Sequence, residues 1–252
     1  MRLTYFFLLI LFFSGCANSQ NKLEEFFQTD NATHIKKDYY EIVKLLSEYK
    51  KKLDKRNPQN YDKQFSHYMY NEFNNATNNL FLKENGKYID DFNDYLRIAI
   101  SPKQIANRND YLILGLYKQI YKSYEIEEDI QISTLTYEIE KLKSLYYTLS
   151  VINWQIKSKK DENDNYLFLT WQNNWQIELT KRIKNNEKIT WQLIQNLEYI
   201  KNQRETIFSP SNANFEVLMQ EMLYRVKNSL KIMGEEPLDV SIEVMKTLVF
   251  FL

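Results

Sequence analysis

The chain has 252 residues, in which 33 Lys and Arg balance 33 Asp and Glu. A neutral chain has no electrostatic basis for binding nucleic acid, because neutralisation of phosphates dominates that affinity. Cys16 is the single cysteine, which excludes intramolecular disulfides and a structural zinc site made of thiolates. Glycine and proline occur four times each, too few for the many tight turns of a β-sandwich or barrel.

The N-terminal segment has the pattern of an export signal. Arg2 gives a positive start, and Leu3 to Phe13 is then almost unbroken apolar sequence. That length suits the apolar core of a signal peptide and falls short of the roughly 20 residues that span a bilayer. The stretch ends in Phe13-Ser14-Gly15-Cys16.

These last four residues resemble the lipobox of bacterial lipoproteins, whose usual form is Leu, then Ala or Ser, then Gly or Ala, then Cys. Ser14, Gly15 and Cys16 match this form, and Phe13 stands in the place of Leu. The resemblance implies that residues 1–15 are cleaved and that the Cys16 sulfur carries acyl chains such as palmitate. Two or three chains make a durable anchor, because each buried CH₂ contributes only about 0.8 kcal/mol. The alternative is an ordinary secretory signal with Cys16 at that position by chance.

The same resemblance predicts where the protein resides. A lipoprotein is attached to a membrane of the bacterial cell envelope, and residues 16–32 would form its lipidated tether. Lipoproteins with Asp directly after the cysteine tend to stay on the inner membrane, and this chain has Ala17 there. The resemblance therefore favours the outer membrane, facing the periplasm.

Residues 33–252 are predicted to be all-α, a multi-helix bundle or helical array, because apolar residues recur there at steps of three and four. A subdomain break is possible near the acidic stretch 125–132. The apolar spacing predicts helices over residues 35–53, 61–80, 88–99, 102–124, 135–156, 166–184, 187–207 and 215–230, and a last one after Asp239.

Several residues are predicted to begin or end these helices. Asn57-Pro58 ends the first helix, and Asn85-Gly86 caps the second at its C-terminus. Ser101 and Ser133 are expected to cap the helices that follow them. Gly234 stops the helix that starts near residue 215. The segment from Tyr166 onward is ambiguous, since its first residues also suit a strand, but the longer spacing favours a helix.

No catalytic residue, cofactor site or metal site is predicted. His34 and His67 are the only histidines, and they match no metal-ligand spacing, so they are interpreted as surface or packing residues. The acidic clusters 90–94 and 125–129 are interpreted as solvated helix faces or ends. The basic run of Lys50 to Lys52, with Lys55 and Arg56, is interpreted as the charged end of the first helix, which complements the helix dipole.

One possible ligand groove is predicted from Trp171, Trp175 and Asn174. The two tryptophans are four residues apart and would share a helix face, with the Asn174 amide beside them for hydrogen bonds. Such a groove would suit a glycan or the side chains of a protein partner. The alternative is that these aromatic residues belong to the core.

Three functions are considered for the chain. The first is a lipid-anchored, non-enzymatic binding, adaptor or scaffold module, whose partners are the membrane and another envelope protein or glycan. The second is a lipid-anchored immunity protein against a toxin that acts in the periplasm. The third is an envelope glycan hydrolase that uses paired carboxylates.

Overall fold

The computed structural model of the chain describes residues 30–126, 138–209 and 213–235. The predicted lipobox with Cys16, the Ser133 cap and the helix predicted after Asp239 lie outside these residues. Within the three described ranges, no helix combines the length and the apolar character needed to cross a membrane.

The predicted all-α architecture is confirmed. The described ranges contain nine helices and one two-stranded antiparallel hairpin. The helices are α1 over residues 30–56, α2 Lys63–Asn75, α3 Phe92–Ala99, α4 Arg108–Ser123, α5 Ile139–Ser158, α6 Asn174–Lys184, α7 Trp191–Gln195, α8 Glu198–Lys201 and α9 Ala213–Ile232. The strands are β1 Lys83–Glu84 and β2 Lys87–Tyr88.

The core lies between α1, α4, α5 and α9. The apolar face predicted for α1 is fully buried, and its members are Ile35, Tyr39, Ile42, Leu46, Tyr49 and Leu53. Helix α4 is central, since 14 of its 16 residues are buried. Each large apolar side chain buried in this way stabilises the fold by about 1.5–3 kcal/mol relative to an exposed one.

A buried carboxylate joins α1 to α9. Asp38 of α1 accepts hydrogen bonds from Asn228 Nδ2 at 2.7 Å and from Ser229 Oγ at 3.1 Å. Arg225 Nη1 lies 3.5 Å from the same carboxylate. Because both carboxylate oxygens have partners, the charge is compensated although the side chain is only 5% exposed.

Helices α3 and α4 cross at a glycine. A Cβ added to Gly115 would lie 2.8 Å from Tyr95 Cβ and 3.0 Å from Leu96 Cδ2, which is closer than carbon atoms pack. The absence of a side chain at this position therefore sets the distance between the two helices.

The structure corrects the prediction for Asn85-Gly86. Helix α2 ends at Asn75, and Ala76 follows with φ 49°. Asn85 and Gly86, with φ 51° and 83°, form the turn between β1 and β2 instead of a helix cap. Asn-Gly is the preferred pair for a two-residue hairpin turn, because both positions need positive φ.

The prediction that Ser101 caps the next helix is also wrong. Helix α4 begins at Arg108, and the Ser101 hydroxyl accepts a bond from the Lys103 N–H at 3.3 Å. The Arg108 guanidinium donates to the carbonyls of Ala99, Ser101 and Lys103 at 2.6, 2.7 and 2.5 Å. These bonds satisfy backbone groups that a helix would otherwise pair, so the chain remains irregular between α3 and α4.

The helix predicted over residues 166–184 is present only in its second half. Residues 166–173 are irregular, with a single bridge between Lys160 and Tyr166, and α6 starts at Asn174. The Gln176 side chain accepts the Asn173 N–H at 2.7 Å, which fixes this helix start. The helix predicted over residues 187–207 is instead two short helices, α7 and α8, separated at Asn196 and Leu197.

Candidate functional site at Trp171

The predicted groove residues do not share one helix face. Trp171 lies in the irregular segment before α6, whereas Asn174 and Trp175 lie in the first turn of α6. The Trp171 side chain is 42% exposed. Its ring is held edge-on against Tyr166, with ring centres 5.0 Å apart.

Asn174 is part of a structural contact between α6 and α1. Its Oδ1 accepts a hydrogen bond from Arg56 Nη1, and its Nδ2 donates to Glu205 Oε1 at 2.5 Å. The backbone N–H of Trp175 donates to the other oxygen of Glu205 at 3.1 Å. Asn174 therefore positions α6. Of the two predicted tryptophans, Trp175 is half-buried, so Trp171 has the more exposed ring.

Trp171 lines a small cavity of about 40 Å³. Its aromatic walls are Tyr49 of α1 and Phe215 of α9, which meet edge-on with ring centres 5.2 Å apart. Four parts of the chain, α1, α5, α9 and the segment before α6, meet at this point. The cavity is larger than the roughly 10–15 Å³ that a single water molecule needs, so it has room for a small polar group.

The polar wall of the cavity is an ion pair between α5 and α9. Lys157 Nζ lies 2.7 Å from Glu216 Oε2, and Asn153 Nδ2 donates to Glu216 Oε1 at 3.3 Å. Burial by itself raises the pKa of Glu216, but the bonds from Lys157 and Gln220 outweigh it and hold the pKa below its usual value. Glu216 is therefore an ionised acceptor at neutral pH.

A buried hydroxyl completes the lining. Thr170 is 2% exposed, and its Oγ1 has no hydrogen-bond partner among the described residues. The neighbouring Gln172 is 7% exposed, and both of its side-chain polar atoms are likewise without a partner there. A buried polar group left unpaired costs about 1–3 kcal/mol, so this segment has unused hydrogen-bonding capacity beside the cavity.

A second polar cluster, which the sequence interpretation missed, lies between the C-terminal part of α1 and the start of α4. Lys50 Nζ is 2.8 Å from Asp54 Oδ2 and 3.0 Å from Asp110 Oδ1, and its side chain is fully buried. Asn109 Nδ2 donates to Asp54 Oδ1 at 3.0 Å, and the Asp62 N–H donates to Asp110 Oδ2 at 2.7 Å. Because these groups are occupied by one another, the cluster holds α1 to α4 rather than facing a ligand.

The burial of Lys50 corrects the interpretation of the basic run. That interpretation groups Lys50 with Lys51 and Lys52 at a charged helix end, yet Lys50 follows Leu46 by four residues and therefore lies on the apolar face of α1. This spacing, together with Asp54 four residues further on, is the sequence signal for a buried ion pair.

The other candidate groups that the structure describes have structural roles or lie at the surface, whereas residues 127–129 of the second acidic cluster lie outside the described residues. Asp91 caps α3 by accepting the Asn93 N–H at 3.0 Å, and Glu125 pairs with Lys141 at 2.7 Å. His34 and His67 are exposed. In the parts of the chain that the structure describes, no group of three or more His, Cys, Asp or Glu side chains is arranged to hold a metal ion.

No protein family model, no curated protein and no solved structure matches this chain significantly.

Proposed function

We propose that the chain is a lipid-anchored bacterial envelope protein that acts as a non-enzymatic binding module, adaptor or scaffold for another envelope component. The Trp171 cavity is its binding site. The observation that carries the proposed binding is the half-exposed Trp171 ring beside a cavity lined by Thr170, whose buried hydroxyl has no partner within the described residues. The membrane half rests on Ser14-Gly15-Cys16 and the apolar segment before it.

The lining suits binding more than proton transfer. Glu216 is the carboxylate that lines the cavity, and it is ionised and bonded to Lys157, Asn153 and Gln220. A general acid must carry a proton near neutral pH, which a lowered pKa prevents. An aromatic ring beside fixed polar groups is instead typical of a recognition site.

The size of the cavity limits what enters it. A volume of about 40 Å³ admits one small group of a ligand, so the rest of the ligand lies on the surrounding surface. Binding sites of this kind depend on a few anchor residues, among which tryptophan is common. Trp171 is accordingly the residue whose truncation should weaken binding most.

The anchor is tested by metabolic labelling with an alkyne fatty acid. The wild-type chain and the Ser19→Ala variant should be labelled, and Cys16→Ala should not, because the sulfur is the acyl acceptor. Labelling of Cys16→Ala, or its cleavage after Gly15 with retention in the membrane fraction, would show that the anchor assignment is wrong.

Binding is tested by affinity capture of the native lipidated protein from detergent-solubilised envelopes, with identification of what is retained. Trp171→Ala should lose the retained component, whereas Trp191→Ala should keep it, because Trp191 is 61% exposed and is not a lining residue of the Trp171 cavity. Equal retention by wild type and Trp171→Ala would contradict the assignment of this cavity.

A further inference from the structure

Lys52, whose ammonium group forms no ion pair within the described residues, lies beside the Trp171 cavity. Lys52 Nζ is 4.9 Å from the centre of the Phe215 ring, which forms one wall of the cavity. Among the described residues, no carboxylate lies within ion-pair distance of this ammonium group. Tyr49, another wall residue, precedes Lys52 by three positions on α1, so both side chains lie on the same side of the helix.

Two other cations belong to this site, and both have bonded partners. Arg56 follows Lys52 by one helical turn and donates to Asn174 and to the Gln172 carbonyl, next to Trp171. Lys157, which lines the cavity, pairs with Glu216. Within the described residues, Lys52 is the one of these three cations for which no ion pair or acceptor is found.

The lowered pKa of Lys52 agrees with the absence of an ion pair at its ammonium group among the described residues. Partial burial lowers the pKa of Lys52, and the charge of Arg56 lowers it further. An anion bound beside Lys52 would relieve both effects, because it favours the charged ammonium form.

We propose that the Trp171 cavity binds an acidic saccharide, whose carboxylate pairs with Lys52 and whose sugar ring packs on Trp171. This inference rests on the proposed binding function and names its ligand class. A carboxylate is a small group that a cavity of about 40 Å³ admits. The Thr170 hydroxyl donates to a carboxylate oxygen, and this bond gives the buried Oγ1 the partner that it lacks within the described residues.

The neutral groups around the cavity favour a sugar over a peptide. The face of an indole ring is electron-rich and attracts the weakly positive C–H groups of a sugar ring. Asn153, which lines the cavity, adds an amide group that matches a ring hydroxyl. A peptide is recognised more often through a sheet edge or a long apolar groove, and neither describes this cavity.

The test uses the lipidated protein in non-ionic detergent micelles and isothermal titration calorimetry. The probes are cellobiouronic acid and cellobiose, which differ by one carboxylate, and an acidic tetrapeptide. The variants are Lys52→Gln and its control Lys55→Gln, which lies on the exposed side of α1. Thermal unfolding by circular dichroism confirms that each variant folds.

Wild type and Lys55→Gln should bind cellobiouronic acid more tightly than cellobiose. Lys52→Gln should weaken the affinity for cellobiouronic acid on the order of tenfold, the loss expected for one charged hydrogen bond. Its affinity for cellobiose should equal that of wild type. Trp171→Ala should weaken both sugars. The gain in affinity from the carboxylate should fall with added salt, because ions screen its attraction to Lys52.

Other outcomes overturn the inference in distinguishable ways. If the two sugars bind equally and Lys52→Gln has no effect, the proposal of an acidic ligand is wrong, whereas the assignment of the Trp171 site is supported. Binding of the tetrapeptide alone, lost in Lys52→Gln, assigns the site to a protein partner instead. Absence of binding by all three probes rejects the ligand class, and the capture experiment with Trp171→Ala then judges the binding function separately.

Discussion

The ammonium group of Lys50 is stabilised in the interior by two carboxylates and by the nearby ring of Tyr61, whose centre is 5.4 Å away. Taking three charged groups out of water is expensive, and their mutual attraction compensates only while all three are present. Removal of the cation would leave Asp54 and Asp110 facing each other in a place that water does not reach.

Lys50→Met should therefore lower the free energy of unfolding by about 3–5 kcal/mol, the usual cost of breaking a buried ion pair. Lys55→Met is the matched control, because Lys55 is five residues further along the same helix and exposed. It should change stability by less than about 0.5 kcal/mol. Urea unfolding at pH 7 measures both values, and similar values for the two variants would contradict the role of the cluster.

The loss of unfolding free energy in Lys50→Met should depend on pH. Burial raises the pKa of Asp110 above 3.8, and Lys50 opposes this rise, so loss of Lys50 lets the pKa rise further. A carboxyl group whose pKa is raised by folding contributes stability below its unfolded pKa and loses it as the pH increases. The difference in unfolding free energy between wild type and Lys50→Met should consequently be smaller at pH 4 than at pH 7. An equal difference at both pH values would contradict this account.

The burial of a single residue could be predicted where the residues near it in sequence determine its environment. The spacing of Ile35, Tyr39 and Ile42 is enough to place them in the core, and they are buried. The partners of Asn174 could not be predicted, because Arg56 and Glu205 are brought to it by the tertiary fold. Trp171 stands out in the sequence as a residue of interest, but its cavity depends on walls from α1, α5 and α9.

At the scale of elements, the crossing of α3 and α4 depends on Gly115. Glycine disfavours a helix by about 1 kcal/mol relative to alanine, yet here it sits in the middle of the most buried helix. The close approach of Tyr95 and Leu96 accounts for its presence, because these contacts require the space that a methyl group would occupy.

Gly115→Ala should destabilise the protein although it improves helix propensity. Overpacking costs about 1–3 kcal/mol, which exceeds the gain of about 1 kcal/mol from propensity when Tyr95 Cβ cannot move away. Lys122→Ala, at an exposed position of the same helix, serves as the control and should be nearly neutral. A rise in melting temperature for Gly115→Ala would show that α3 can shift and that the crossing is not tight.

The elements that could not be predicted are those fixed by long-range or side-chain contacts. The main helices follow from apolar periodicity, and α1, α4, α5 and α9 all form. The irregular segment before α4 depends on the Arg108 guanidinium, which bonds three carbonyls upstream of it. Residues 166–173 have helical spacing, but Asn57 Oδ1 accepts the Leu169 N–H at 3.0 Å and ties them to the end of α1 instead.

At the scale of the whole molecule, the described helices differ in how much of the core they contribute. Helices α1, α4, α5 and α9 contribute most of the core, whereas α6, α7 and α8 contain no fully buried residue. These three short helices are attached through a few points, among them the Arg56 bonds and the buried side chains of Phe168 and Leu197.

Hydrogen exchange should therefore show that α6–α8 open at a lower free energy than α4, because less apolar area holds them. Arg56→Met should accelerate exchange in α6–α8 and leave α4 unchanged, while Lys55→Met should affect neither. Mass spectrometry of peptic fragments measures this directly. Uniform protection across the chain would mean that α6–α8 unfold only together with the core.

The length of α1 sets a limit on where the cavity can act. Tyr49 lies nineteen residues beyond the first described helical residue, a rise of about 28 Å along the axis. The fourteen residues from Cys16 to residue 30 extend over at most about 50 Å. With the proposed lipid anchor on Cys16, the Trp171 ring would lie no further than about 80 Å from the lipid surface, and a ligand of the proposed site would have to come within that distance.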